Sequence, residues 1–438
     1  MKVYRQEKTY ASMLSMNTIY DVAVIGGGPA GMMAAGRAVE RGLKVILLEK
    51  NPDLGKKLLI SGGGRCNMTN AEFDNRALLA KFKDSAKFLF SAFAQHSVKE
   101  TLEFFHSHGL KTKVEEGQRV FPTTDKAESV WDVLLENMKD TKHGGSNPVT
   151  VRSNAEVVGF ETNDSRQITA VRLLNGEKIL ARAFILATGG KSHPETGSTG
   201  DGFAWLTKLG HTISPPTAAL VPITVSDPWV KALSGVSLKN AKITLFQNGA
   251  KVAGKTAVKR GKVLFTHFGL SGPAILNMSS EVNELLKYGE VVISIDLLPD
   301  HDYATLNEAL QKLFAVESNK KFKNAITEII PAAFVPVILE KSGIETDTFC
   351  HSVTREERLA LIKIFKDLQI HPTGLLGADK AIITSGGVVL TEVDFRTMQS
   401  RLVSNLYLIG DILNIDRPSG GYSLQLCWTT GWVAGNSI

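Results

Sequence analysis

The sequence predicts an α/β fold, and three observations carry that expectation. Residues 20–50 read as strand, glycine turn, helix and strand. Short continuous apolar runs at 45–48 and 183–187 suit parallel strands buried on both faces. After Pro215-Pro216 the texture changes to alternating strands with turn residues between them, which marks a second domain.

The elements follow in order. Residues 20–25 form a β-rich run, 29–41 carry helix formers, and 45–48 form the second strand. Helical patterns cover 76–109 and 125–140, and from 149 to 187 the chain turns to strands. Asn175-Gly176 is a hairpin turn between 168–174 and 177–181. Strands over 220–225, 241–246, 251–258, 262–265 and 291–295 suit a small barrel or sandwich. Residues 302–369 are helical, and Thr354 with Glu357 three positions on fits a capping box. We read them as a helical cluster inserted within the β domain. Strands at 381–384 and 405–409 and a helix from about Ser423 close the chain.

Composition excludes several classes. At 438 residues with 43% hydrophobic and 21% charged content, the chain is a multi-domain globular protein. Its +6 charge is mild, and its lysines and arginines read as scattered, so no nucleic-acid partner is expected. Cys66, Cys350 and Cys427 lie far apart without CxxC spacing, which excludes a disulfide framework or zinc site and suits a reducing compartment. No metal site is expected. No apolar run is long enough to span a bilayer, and residues 1–19 read as a loose tail rather than a signal peptide. The expectation is a cytoplasmic protein without membrane contact.

The chemistry begins at Gly26-x-Gly28-x-x-Gly31. Gly26 allows the tight turn, Gly28 lets backbone approach a pyrophosphate, and Gly31 lets the helix sit close to the strand. The helix N-terminus beyond Pro29 and Ala30 offers free N–H groups and positive dipole to phosphate. Glu49 ends the next strand 18 residues after Gly31, where a carboxylate accepts from adenosine ribose hydroxyls and disfavours a 2′-phosphate. This is a Rossmann-type dinucleotide unit.

The loop that follows favours FAD over a nicotinamide. Ser61-Gly62-Gly63-Gly64-Arg65-Cys66-Asn67 offers bare amides as an anion nest, and Arg65 and Lys57 can bond phosphate. Ala187-Thr188-Gly189-Gly190 ends a buried strand. Gly410-Asp411 ends another, and Gly420-Gly421-Tyr422-Ser423 opens a helix. Asp411 can take ribityl hydroxyls, and the helix head can stabilise negative charge at N1 and O2 of a flavin. A nicotinamide enzyme needs no second ligand-facing turn so far downstream.

On these stretches the chain resembles the BaiN-like and aminoacetone-oxidase-like flavoproteins, a family of NAD(P)/FAD-dependent oxidoreductases. The match also runs through Arg119–Pro122, Lys191, 196–202, 265–273, 384–388 and 410–435. The resemblance implies a discontinuous FAD-binding domain (20–214 and 384–438) interrupted by a β-barrel domain (215–300 and 371–383) that carries the helical insert (301–370). It also implies cofactor contacts at Lys50, Val157 and Leu424. Family members often carry Glu where this chain has Asp411 and Asn where it has Ser423.

The expected function is flavin-mediated hydride transfer on a small organic or steroid-like substrate, with NAD(P)H as a transient co-substrate and a closed site between the two domains. An oxygen-reducing amine oxidase of the aminoacetone type is the alternative. No second GxGxxG unit marks a separate nicotinamide domain, and the oligomeric state stays open. His267, Tyr422 and Arg119 are the candidates for orienting or protonating substrate, with His193 and Lys191 behind them. Cys66 reads as a small buried residue rather than a redox thiol. Gly249-x-x-x-x-Gly254-Lys255-Thr256 matches a P-loop, but Asn248-Gly249 is a hairpin turn and no helix follows, so we dismiss it. Asn67-Met68-Thr69 matches a glycosylation acceptor that a cytoplasmic loop never presents to that machinery.

Overall fold

A computed structural model describes residues 18–139, 148–254, 257–377 and 383–438. The expected tail up to residue 17 and the first two residues of the expected 381–384 strand lie outside the described residues, as does the Lys255-Thr256 end of the P-loop look-alike. Contacts divide the chain into two units, Met1–Ala218 with Ile383–Ile438, and Ala219–Ile382.

The first unit is built on a parallel sheet in the order Leu406–Leu408, Lys178–Leu186, Ile19–Ile25, Val45–Leu48 and Thr150–Arg152. Val22, Ala23 and Val24 of the central strand are wholly buried, as a strand covered on both faces requires. The register aligns the strand ends. Leu48 pairs with Ile25, Ile25 with Leu186, and Leu186 with Leu408, so four chain turns leave one edge of the sheet side by side. The Asn175-Gly176 turn forms as read: Asn175 Oδ1 accepts from Glu177 N, and Ile168–Leu173 runs antiparallel to Lys178–Leu186.

Two helices cover this sheet in close contact, Pro29–Glu40 and Tyr422–Ser437. Small residues set their approach. A Cβ on Gly431 would lie 2.5 Å from Ala30 O, and one on Gly435 would lie 2.5 Å from Ala34 O. The paired positions advance together, so the helices run parallel. Tyr422 precedes its contact Gly431 by eight residues more than Pro29 precedes Ala30. The N-terminus of the C-terminal helix therefore projects about 12 Å beyond that of the first.

The second unit holds an eight-stranded antiparallel sheet. Its order is Leu368–Ile370, Val291–Asp296, Ser237–Gln247, Val258–Thr266, Gly269–Ser271, Ile223–Val225 and Pro372–Leu375, with Ala250–Lys251 paired to Ser237–Gln247. Among the described residues no ladder joins the end strands directly, so no closed barrel is formed by pairing alone. The end strands are two pieces of one run separated by His371, the first pairing with Val291–Asp296 and the second with Ile223–Val225. At this corner His371 N donates to Asp227 Oδ2, and its carbonyl accepts from Ser226 N. Helices Tyr303–Val316, Phe322–Ala325, Val335–Ser342 and Arg355–Lys366 lie between two strands of this sheet in the chain and share its core. The Thr354/Glu357 capping box is present in both directions. Asn248-Gly249 is a hairpin turn, with Gln247 paired to Ala250.

The cations are spread along the chain as read, but the acids are not. Between Asp227 and Glu281 stand eight lysines and arginines and no acid, so the remainder of the +6 chain carries a net −2. Overall counts concealed this block because the chain from Glu281 onward carries a net −6.

The helix contact makes a prediction whose sign opposes local propensity. Gly431→Ala should stabilise a free helix by about 1 kcal/mol. Here the added methyl meets the Ala30 carbonyl, so we expect a loss of about 1–3 kcal/mol in urea unfolding.

Candidate cofactor site

The aligned strand ends place the predicted turns on one edge of the first unit. Gly26 follows Ile25 at φ +107°, and a Cβ there would lie 2.5 Å from Ala187 O. Only glycine lets the first and third turns pass so closely. Gly31 packs onto the same turn, where a Cβ would lie 1.9 Å from Gly26 O. Gly28 differs from both. A methyl on it would touch nothing within 4 Å, so the head of the first helix presents bare backbone to open space. The motif thus separates into two glycines needed by the fold and one that leaves room for a phosphate.

Glu49 is buried at the tip of the second strand. Its Oε2 accepts from Gly27 N at 2.8 Å, and its Oε1 accepts from Asn51 N and Asn51 Nδ2. These bonds fix the carboxylate and still leave a lone pair on Oε2 for a ribose hydroxyl. Beyond the tip opens a cavity of about 490 Å³ lined by Lys50, Arg152, Asn154, Leu173 and their neighbours. Its size is that of a small-ligand pocket. Val157 is buried and pairs with Leu173 of that wall.

Asp411 leaves the sheet three strands from Glu49, about 14 Å away at ordinary strand spacing. Both acids emerge from the same edge. Gly410 N donates to Thr430 Oγ1 of the C-terminal helix, which ties this turn to the helix. Asp411 pairs with Arg417, whose side chain is 0% exposed and also donates to Ser423 Oγ and Ile415 O. Arg417 therefore joins the two positions where this chain departs from its resemblance family. The shorter Asp and Ser leave side-chain volume in which a guanidinium can reach both. Nothing in the sequence marked Arg417, a lone arginine in a loop.

The helix head at Gly421 is held from behind. A Cβ on Gly421, at φ +103°, would lie 2.3 Å from the Thr69 carbonyl. With its amide oriented to satisfy both neighbours, Asn67 accepts from Gly421 N at 2.9 Å and donates to Thr69 O. Gln425 accepts from Thr69 Oγ1 and donates to Thr101 and Thr429, all buried. Trp428 Nε1 donates to Met68 O. The glycine-rich loop is thereby fixed to the start of the last helix. Tyr422 lies buried against Phe82, and burial raises its hydroxyl above the usual range, keeping it a donor.

Other predicted residues are engaged elsewhere. The Arg65 guanidinium pairs with Glu115 and Asp125, and it stacks over Phe121. Lys50 donates to Thr199 Oγ1 and Asp201 Oδ2, and Lys57 donates to Ser192 O at 2.6 Å. Burial lowers the Lys57 ammonium, opposed by nearby Asp411. Burial pushes the Cys66 thiol up to about 12, which suits an inert side chain. Lys191 N and Ser192 N both donate to Thr384 Oγ1, which holds the Gly189-Gly190 turn. Of the remaining candidates, His193 faces Glu195, and Arg119 donates to Glu116 O. His267, in the second unit, is exposed beside Phe268.

Bare backbone at one helix head, a second head about 12 Å further on and an acid beyond each flanking strand fit an extended dinucleotide. Among the described residues, no helix is long and apolar enough to cross a membrane, and no cluster of His, Cys, Asp and Glu could hold a metal.

Comparison with known proteins agrees with this reading. The HI0933-like protein Rossmann domain family matches residues 20–437. A ribosomal RNA dihydrouridine synthase of Escherichia coli K12 is 31% identical over 424 residues, covering 96% of this chain and 98% of the relative. A 3-dehydro-bile acid delta(4,6)-reductase of Clostridium scindens is 30% identical over 420 residues, covering 95% and 98%. In fold, the chain resembles the 3-ketosteroid-delta4-(5alpha)-dehydrogenase of Rhodococcus jostii RHA1, with a TM-score of 0.52 at 14% identity, covering 97% and 98%. The expected flavoprotein resemblance holds.

Two sets of substitutions test the site. Gly28→Val should leave the melting temperature of cofactor-free protein unchanged and weaken FAD binding by at least about tenfold, or 1.4 kcal/mol. Gly26→Val should instead prevent folding, and fluorescence titration beside thermal melting separates the two. Arg417→Met leaves Asp411 without its buried partner, so denaturant unfolding should report a loss of about 3 kcal/mol.

Proposed function

Because the chain belongs to the HI0933-like family of FAD-dependent oxidoreductases, we propose that it reduces a carbon–carbon double bond conjugated to a carbonyl, with NAD(P)H as electron donor. The observation that carries this reading is the single sheet edge on which Glu49, Gly28, Asp411 and the Gly421 helix head stand in series. The two relatives named above share that chemistry by name. One saturates the uracil ring, and the other reduces double bonds beside a 3-oxo group. In net terms one alkene carbon gains hydride, the other gains a proton, and the nicotinamide is oxidised.

Bound FAD supplies two-electron hydride chemistry. The protein's own groups hold and tune it. The first helix head and Gly28 take the pyrophosphate, Glu49 takes the ribose, and Asp411, fixed by Arg417, takes hydroxyls of the ribityl chain. The head of the C-terminal helix favours negative charge on the ring end, and Lys57 and Arg417 add cations close by. Tyr422, kept protonated by burial, is our candidate to donate a hydrogen bond or proton.

Two substrate classes fit the shared chemistry, a steroid-like enone and a uracil within RNA. The acid-free block of eight cations favours RNA. It argues against the expectation of no nucleic-acid partner, which weighed cations without asking where the acids lie.

The test is an anaerobic titration of purified holoprotein with NADH and NADPH, followed by each substrate class. We expect the flavin colour to bleach with a nicotinamide and to return with a uridine-containing ribosomal RNA transcript. Return of colour with a 3-oxo-Δ4 steroid alone favours the small-molecule reading. Bleaching only by an amine, with peroxide formed in air, would overturn the reductase assignment for the amine oxidase.

A further inference from the structure

The acid-free block folds into one place in the second unit. It contains helix Pro228–Ala232, the paired strands Ser237–Gln247 and Val258–Thr266, and the hairpin at Ala250–Lys251. Side chains alternate across the two long strands, except at a bulge between Leu238 and Ala241 where Lys239 and Asn240 are both exposed. Leu238, Ala241, Ile243, Val263 and Phe265 are buried on the inner face. Lys239, Lys242, Arg260 and Lys262 are exposed on the other. Lys242 stands directly opposite Arg260 in the antiparallel register. Like charges so placed destabilise a sheet.

The acids that face this surface neutralise Arg260 and, among the described residues, leave its lysines unpaired. Asp296 is the cross-strand neighbour of Lys242, but it lies 2.6 Å from Lys366. Asp300 pairs with Arg260 and accepts from Asn240. Among the described residues, Lys239, Lys242 and Lys262 make no ion pair. They are cations on adjacent strands with no carboxylate of their own.

We propose that the outer face of strands Ser237–Gln247 and Val258–Thr266 docks the phosphate backbone of RNA. The proposal rests on the RNA reading above and adds the place and the contact chemistry. Charge complementarity selects a polyanion, since each phosphate neutralised releases condensed counterions. The absence of apolar anchors selects nucleic acid among polyanions. Between 228 and 280 no large apolar side chain among the described residues is exposed. A peripheral membrane surface needs such side chains to insert below the headgroups, and a protein interface needs them at its centre. This face offers charge alone. It therefore positions RNA without reading its sequence, and selection of the reacting base falls to other residues.

The experiment uses full-length holoprotein and a triple variant, Lys239→Gln, Lys242→Gln and Lys262→Gln. Filter binding to a uridine-containing ribosomal RNA transcript is measured across a salt series, beside phosphatidylglycerol vesicle sedimentation. We expect wild type to bind RNA with affinity that falls steeply with salt. The triple variant should bind at least about tenfold more weakly at 0.1 M salt and lose about two units of log–log slope, at 0.7–0.9 per phosphate contact. Its melting temperature and its flavin reduction by nicotinamide should match wild type. Unchanged RNA affinity and slope in the triple variant would overturn this surface and leave the RNA reading standing. No salt-sensitive RNA binding by wild type, with or without vesicle binding, would overturn both, while nicotinamide bleaching still tests the reductase separately.

Discussion

Contact between two helices from opposite ends of the chain organises the first unit. Gly431 and Gly435 of the last helix lie against the carbonyls of Ala30 and Ala34 of the first. Glycine at both positions lets backbone approach backbone, which no larger residue permits. The parallel pairing puts both N-termini on the same side, one about 12 Å beyond the other. Phosphate-binding and ring-binding ends of one cofactor are thus set by the register of a single packing seam.

The seam is locked by a buried polar network. Gln425 draws together Thr69, Thr101 and Thr429, and Thr429 donates to His96 O. Such a network is stable only when its members are satisfied, and then it specifies one arrangement. Asn67 and Trp428 extend it to the glycine-rich loop. Arg417 serves the front of the same helix. Its charge, wholly buried, is matched by Asp411 and by two further acceptors, as a buried guanidinium requires. Rigid support behind the helix head and a fixed acid before it are what a preorganised electrostatic site needs.

The second unit obeys a different constraint. Its sheet buries one apolar face beneath the helical insert's core and leaves a charged face outward. Alternation along a strand decides which residues are buried, and it also gathers every second residue onto one surface. Lysines separated in sequence by twenty positions, such as Lys242 and Lys262, thereby become neighbours on that surface.

Local rules were enough to read the strand–turn–helix unit, Glu49, the Asn175-Gly176 and Asn248-Gly249 turns and the Thr354 capping box. Each depends on residues within a few positions of one another, where sterics and hydrogen bonding act directly. What the chain did not disclose involves partners far apart. Nothing local to Arg65 shows that it pairs with Glu115 and Asp125, 50 and 60 residues away. Arg417 reads as a loop residue until Asp411 and Ser423 fold around it. The two end strands of the second unit's sheet are one segment of chain, yet Leu368–Ile370 pairs with Val291–Asp296 and Pro372–Leu375 pairs with Ile223–Val225. Sequence alone determined which segments carry the cofactor chemistry, because glycine spacing and strand-end acids are local requirements. Tertiary structure decided which charges remain free to act, because a charge is neutralised by whatever folds next to it.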